Sequence, residues 1–327
     1  MTETDNPRAR AREIIAQCIE QARTGDLDGA RHVLDALVAD KELVSRAELG
    51  PPTVLGLPRK LHSAYLKLAK ISGDRLKVTG LQFTLVPDPA TMEAVGHYSG
   101  EQRRLIARLG AAPVPRILHQ VWIGDLRQPP AVAAWRAHCK AHDMEYRLWD
   151  AAALQREGFD AHPSYAGMMA RQDYPGAADV ARYLVLERFG GLYMDADWYP
   201  ARDDAGFEDF IALVGFTALA AEIPRLTRGG GLLLANAFIA TPPAHPVIRR
   251  IIEAMPGIME ALPDAPAWWS TGPLIFTYAC RGAGVTIASL DMMAAVLPRK
   301  APFSEVESAR EKAMRTDRGF IIDWKSW

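Results

Sequence analysis

The sequence has little cysteine, almost no net charge and no long apolar run. Its 327 residues include only three cysteines, Cys18, Cys139 and Cys280, which lie far apart and cannot all pair with one another. A reduced, cytoplasmic setting follows more simply than a disulfide framework, although a protein exported by a signal-independent route would look the same. With 38 Lys and Arg against 39 Asp and Glu, the net charge of -1 gives no electrostatic case for nucleic acid. No basic run marks a membrane surface. Residues 1–12 are polar and charged without the apolar centre of a signal peptide, and no later stretch approaches spanning length, so no transmembrane segment is expected. What remains is the composition of an ordinary globular protein, 49% hydrophobic and 24% charged. The length suits one large domain or two smaller ones.

The patterning predicts a boundary near residue 100, with a mainly helical region over 1–100 and a second domain over 101–327. Ile14, Ile15, Cys18, Ile19 and Ala22, then Ala30, Val33, Leu34 and Leu37, recur at helical spacing. Breaks fall at Thr24-Gly25-Asp26 and Gly50-Pro51-Pro52. A helical bundle that braces the main domain is the simpler reading of this region; a module that binds an acceptor or partner is the other. Leu81 to Val86 reads as a strand ended by Pro87-Asp88-Pro89, and Glu101 to Arg108 as a helix.

Beyond Pro113-Val114-Pro115, strand and helix signals alternate. Strands are expected at Arg116 to Ile123 and Tyr146 to Trp149, and helices at Ala131 to His142 and Ala177 to Phe189. This predicts an α/β domain with a largely parallel sheet, whose ligands bind beyond the carboxyl ends of the strands. The second helix stops at Gly190-Gly191, a very short apolar strand follows, and then come Asp195 and Asp197, one residue apart. An isolated Asp-x-Asp is more often a solvated acidic turn. The Gly pair and strand before it reverse that preference, because a loop closing a strand can bend both carboxylates toward one hard divalent cation shared with phosphate oxygens. Asp179 and Arg182, three apart on the helix, can point from one face. Trp122 ends its strand with a flat indole face. His119 sits among apolar neighbours and reads as a hydrogen-bonded core histidine. Gly229-Gly230-Gly231 reads as a loop and not as a phosphate cradle.

Ile117-Leu118-His119-Gln120-Val121-Trp122-Ile123-Gly124, Tyr146-Arg147-Leu148-Trp149-Asp150, Asp179-Val180-Ala181-Arg182, Gly190-Gly191-Leu192-Tyr193 and Asp195-Ala196-Asp197 together resemble the DXD-containing sugar-transferase family. That family includes the fungal initiating mannosyltransferases and, more distantly, the catalytic domains of clostridial glucosylating toxins. The resemblance covers residues 113–327. It implies a GT-A fold and a metal-dependent hexosyltransferase that uses a UDP- or GDP-sugar with retention, with Mn2+ or Mg2+ as cofactor and an acceptor that is not identified. By the same resemblance Asp179, Arg182, Asp195 and Asp197 carry the chemistry. Asp197 is the direct metal ligand, and Asp195 holds the ribose or a metal-bound water. Trp122 lies on the nucleobase, while Tyr193 and Asn236 lie near the ribose, phosphate or sugar. The terminal Ser326-Trp327 closes the site, the hydroxyl joining the metal shell and the indole reaching a phosphate. Histidines usually stand just upstream of that segment in the family, where this chain has Ile322-Asp323. Downstream of Leu232 to Ala235, the proline turn at Pro242-Pro243, a helix over Val247 to Met259 and the helix opened by Thr271-Gly272-Pro273 also fit the family.

Other readings stay open. An aspartate-nucleophile phosphatase also uses Asp-x-Asp after a strand, but wants Thr or Val where Tyr199 stands. An inverting, protein-modifying GT-A transferase would need a base that the pattern does not locate. A non-catalytic nucleotide-sugar sensor on the same fold would tolerate loss of Asp179, Arg182, Asp195 or Asp197, and all four are present.

Overall fold

The computed structural model describes residues 6–220 and 233–327; the glycine run at 229–231 and Leu232 lie outside the described residues. The chain divides into two compact units, one of Met1–Met92 with Ala261–Ala265, the other of Glu93–Glu260 with Pro266–Trp327.

In the first unit, α1 (Pro7–Arg23), α2 (Leu27–Ala39), α3 (Lys41–Arg46), α4 (Arg59–Ile71) and α5 (Arg75–Thr84) follow one another. Carboxylate or amide caps start four of them: Asn6, Asp26, Asp40 and Asp74 each accept from a backbone N–H three residues on. The expected periodic residues Cys18, Ile19, Ala22, Ala30, Leu34 and Leu37 are all buried in its core. The strand expected at Leu81 to Val86 is a misreading. The Asp74 cap starts a helix that runs through Thr84, and the short apolar run that resembled a strand is its last turn. No helix of the described residues is long and apolar enough to cross a membrane.

The second unit opens on α6 (Gly100–Leu109), started by a Ser99–Gln102 capping box. Then come β1 (Ile117–Val121), α7 (Pro130–Ala141), β2 (Glu145–Trp149), α8 (Ala151–Arg156), α9 (Pro163–Ala170) and α10 (Tyr174–Phe189). They are followed by β3 (Gly191–Met194), β4 (Trp198–Pro200), β5 (Thr217–Ala220), β6 (Leu234–Thr241) and α11 (Pro246–Ala261). The unit ends with α12 (Ala267–Ser270), α13 (Pro273–Arg281), β7 (Thr286–Ala288), β8 (Met293–Val296), α14 (Phe303–Ala313) and β9 (Ile321–Asp323).

The α/β architecture is as expected, with strand order β2-β1-β3-β6-β5-β7. The sheet is mixed, not largely parallel. β1 runs parallel to β2 and β3, but β6 is antiparallel to both β3 and β5. β5 and β6 pair antiparallel, an arrangement that strand–helix alternation does not signal. A second sheet, β4-β9-β8, pairs Trp198 with Asp323 and so brings the carboxyl-terminal segment to the turn after β3. Trp135, Phe207, Phe238, Phe320 and Ile321 fill the core beside both sheets, and the Trp135 indole N–H reaches the Trp198 carbonyl at 2.6 Å.

The passage from α10 to β3 shows why the Gly pair stands where it does. Gly190 ends the helix at φ +61° and Gly191 follows at +95°. A Cβ on Gly191 would lie 2.7 Å from the Ile117 carbonyl oxygen and 3.1 Å from His119 Nε2. His119 is the core histidine expected: Nδ1 accepts from the Trp149 indole at 3.0 Å, which leaves Nε2 to donate to the Gly190 carbonyl at 3.0 Å. Burial pushes its pKa down to about 4.

Two outcomes follow. Gly191→Ala should destabilise the protein by about 2 kcal/mol or more, from a disfavoured φ and a clash with β1, measured by urea denaturation. His119 is neutral when folded and takes up a proton when unfolded below its ordinary pKa of 6.5, so its contribution is present above that pH and lost as pH falls toward 4. Relative to His119→Gln, the wild type should lose about 3 kcal/mol between pH 7 and pH 4. The comparison cancels titration of other groups; parallel pH profiles for the two proteins would refute it.

Candidate active site

Helix α10 supplies the centre of the site. It is buried on most sides, packing Ala177, Val180, Ala181, Val185 and Leu186, and it buries Asp179 and Arg182 with them. Arg182, only 4% exposed, is the hub. Its Nη2 lies 2.9 Å from Asp179 Oδ1 and its Nη1 3.1 Å from Asp195 Oδ1. Nη1 also donates to the Asn236 carbonyl at 2.6 Å, and the guanidinium carbon sits 4.4 Å from the centre of the Tyr193 ring. One cation thereby ties α10 to the loop after β3 and to β6.

Asp179 accepts from Arg182, from Asn236 Nδ2 at 2.8 Å and from Thr271 Oγ1 at 3.2 Å. Burial raises its pKa to about 6, against the pull of Arg182. Asp195 accepts from the Tyr193 hydroxyl at 2.9 Å as well as from Arg182. Its carbonyl accepts from Gln120 Nε2 at 3.1 Å, and Gln120 Oε1 in turn accepts from the Tyr146 hydroxyl at 2.8 Å. The turn that carries the carboxylates is therefore held from β1, β2, β3 and α10.

Asp197 differs. It is 9% exposed, and its Oδ1 is sealed from solvent with no hydrogen-bond partner. Burial, then Asp195 and Asp323, push its pKa up to about 7, with Lys325 opposing. A buried carboxylate oxygen without a donor is costly unless a cation or proton reaches it. Asp179 and Asp195 share the guanidinium of Arg182, while Asp197 is left with only the pull of Lys325 against its burial and its acidic neighbours. Among the described residues no group of three or more His, Cys, Asp or Glu side chains forms a ready metal cage. The donor set fits a hard divalent ion held by one or two carboxylates and completed by water or phosphate oxygens.

The parallel pairing of β1 with β3 brings Trp122 and Asp195, each just past its strand, to one edge of the sheet. Trp122 Nε1 donates to the Leu126 carbonyl at 2.9 Å, and its ring meets that of Trp327 edge-on at 4.9 Å. The carboxyl-terminal segment is anchored by Trp324 N–H to the Asp197 carbonyl at 3.1 Å and by Arg299 Nε to the Trp327 carbonyl at 2.7 Å. Ser326 is half-buried between them.

Asp179, Arg182, Asp195, Tyr193 and Asn236 thus form one hydrogen-bonded network, and Trp122 and Trp327 a separate aromatic pair. Tyr193 and Asn236 are both buried, holding the carboxylates from beneath. Gln120, Tyr183 and Thr271 also belong to the network and escaped the sequence reading; Tyr183 accepts from Asn236 at 3.1 Å. Their spacing carried a signal: Gln120 is two before Trp122 on a strand, and Tyr183 is four after Asp179 on a helix.

Residues 128–206 match the model of a family described as the glycosyltransferase sugar-binding region containing DXD motif. The chain is 25% identical over 173 residues to inositol phosphoceramide mannosyltransferase 3 of Schizosaccharomyces pombe, covering 51% of this chain and 45% of that protein. It is 28% identical over 149 residues to an uncharacterized glycosyltransferase of Acanthamoeba polyphaga mimivirus, covering 43% of this chain and 55% of that one. The chain spans about half the length of these curated relatives. Among solved structures, the PaToxG glycosyltransferase aligns with a TM-score of 0.42 at 15% identity, over 58% of this chain and 76% of that one. The family match and the two relatives bear out the resemblance to DXD-containing sugar transferases, and the matched segment holds Asp179, Arg182, Asp195 and Asp197.

Arg182→Met should cost about 3–5 kcal/mol, because it leaves Asp179 buried without its counter-ion and Asp195 without its brace. Arg182→Lys should recover less than half of that, since an ammonium cannot span both carboxylates and the Asn236 carbonyl as the guanidinium fork does. Urea denaturation of both variants checks the order.

Proposed function

We propose that this chain is a metal-dependent, retaining glycosyltransferase of GT-A fold that moves a hexose from a UDP- or GDP-sugar to an acceptor hydroxyl. The observation that carries the reading is Asp197, a buried carboxylate with an unpartnered oxygen, beside a second carboxylate already fixed in place. The family match over the same segment and the glycosyltransferase names of the relatives support it.

In this reading Asp197 and Asp195 hold Mn2+ or Mg2+, with the Ser326 hydroxyl as a further ligand. The bound ion supplies charge neutralisation at the diphosphate leaving group. Trp122 and Trp327 offer aromatic faces at the carboxyl edge of the sheet for the nucleobase and phosphate. Arg182 keeps Asp195 aimed and adds fixed positive potential beneath the carboxylates. Asp179, which already takes three donors, orients Arg182 and the sugar rather than attacking it. Asp195 takes Tyr193 and Arg182 on one oxygen, Oδ1, and in this reading gives the other to the metal ion. With neither carboxylate open as a nucleophile or base, the arrangement favours a front-face route in which the leaving diphosphate takes the acceptor's proton and configuration is retained.

A panel of UDP- and GDP-sugars with and without manganese, read as nucleotide release, tests the reading. Asp197→Asn should lower manganese-dependent release on the order of 100-fold or more and abolish the rise in melting temperature that manganese gives the wild type. It should not destabilise the metal-free protein, because it removes a charge whose burial outweighs the pull of Lys325 and whose Oδ1 has no donor. Full activity in that variant refutes the metal assignment. Stabilisation by a donor with no turnover would point to a sensor.

A further inference from the structure

Asp195, Ala196, Asp197 and Trp198 form a β-turn, closed by the Trp198 N–H on the Asp195 carbonyl at 3.2 Å. Asp195 stands at its first position and Asp197 at its third, so the separation and aim of the two carboxylates follow from how the peptide plane between Asp195 and Ala196 lies. One closing bond is a weak hold on that plane, and many turns of this span lack it altogether. Here the same carbonyl has a second donor, Gln120 Nε2 at 3.1 Å.

Packing does not explain Gln120. It is fully buried within β1, on the face where Leu118 enters the core two residues earlier. A buried amide there needs partners for both of its ends. A carbonyl can only accept, so the amide nitrogen faces Asp195 and the amide oxygen takes the Tyr146 hydroxyl at 2.8 Å. Burial pushes the Tyr146 pKa up, which keeps that hydroxyl a donor, and its ring lies under the Arg136 guanidinium at 5.4 Å. The amide is thus fixed at both ends. Its hold is on the backbone of the turn, while Oδ1 of the Asp195 carboxylate belongs to Tyr193 and Arg182.

We propose that Gln120, aimed by Tyr146, is a positioning residue for the cation site: it holds the turn so that Asp195 and Asp197 face one ion before the ion arrives, and it sets the affinity for that ion rather than the stability of the fold. The proposal rests on the metal assignment made above. Removing either partner alone leaves a buried polar group unpaired. Removing both does not. Gln120→Met with Tyr146→Phe takes away the amide and the hydroxyl together, and the Asp195 carbonyl keeps the Trp198 N–H. Stability and metal affinity therefore come apart in the double variant.

The test uses the full chain with manganese alone as the probe. Free ion is counted by electron paramagnetic resonance, and metal-free stability is read by urea denaturation. Asp197→Asn identifies the ion bound at this site by losing it. The double variant should bind that ion about tenfold more weakly than the wild type, or worse, while its metal-free urea midpoint stays at the wild-type value or rises. Tyr146→Phe alone, which keeps the glutamine but not the bond that aims it, should fall between the two in affinity. Equal manganese affinity in the wild type and the double variant overturns the positioning role and leaves the transferase reading standing. A loss of affinity matched by an equal loss of metal-free stability makes the pair a brace of the fold and also overturns it. Should the double variant unfold too readily to be titrated, Tyr146→Phe decides: weaker binding than the wild type supports the role, and unchanged binding refutes it. A wild type with no manganese site sensitive to Asp197→Asn overturns the metal assignment, and the positioning role with it.

Discussion

The second unit depends on one guanidinium. Arg182 contacts Asp179 on its own helix, Asp195 after β3, the Asn236 carbonyl on β6 and the Tyr193 ring. Those four partners come from a helix, a loop and two strands of the sheet, so the position of each is conditional on the others. An arginine suits this place where a lysine does not, because its donors diverge in a plane and can serve two carboxylates and a carbonyl at once. What Arg182 satisfies is Asp179 and Asp195. What it leaves over is Asp197.

That remainder is produced by a pairing far along the chain. β9 adds to β4, puts Asp323 opposite Trp198 and closes solvent off from the turn that carries Asp197. The segment that follows brings Trp327 against Trp122. Without it, Asp197 would be an exposed acid on a turn, with its ordinary affinity for protons and little for a cation. The carboxyl terminus thus helps to make the electrostatic environment of a carboxylate that it does not coordinate through any contact described.

Most of the local order was legible in the sequence. The Gly190-Gly191 stop ends α10 where expected, although the Asp173 cap and Pro175 start it at Tyr174, three residues before the expected Ala177, and the apolar run at Ile117 to Val121 is β1. His119 read correctly as a core residue because its neighbours are apolar. Leu81 to Val86 was misread because a short apolar run does not distinguish a strand from the end of a helix when the cap lies several residues upstream. The antiparallel course of β6 and the β4–β9 pairing depend on non-local contacts, which carry no local pattern. The site divides in the same way. Asp179, Arg182, Asp195 and Asp197 announce themselves by type and spacing, whereas Gln120, Tyr183 and Thr271 matter only through partners that the fold brings to them.

Energetically the cluster is a poor way to build a core. Burying Arg182 with Asp179 removes two charges from water, and well-packed apolar residues of similar volume often leave a protein as stable or more so. Asp197 adds a further cost, since its sealed oxygen has no donor. A fold selected only for stability would not keep this arrangement beside side chains as apolar as Val180, Leu186 and Met194. Its benefit lies in preorganisation. On the proposed reading, dipoles and charges held by Tyr193, Gln120, Asn236 and Thr271 need not reorient when charge develops on a leaving group, and the reorganisation that water would undergo is avoided. The stability given up in folding is what keeps Asp195 and Asp197 in position before any ligand arrives.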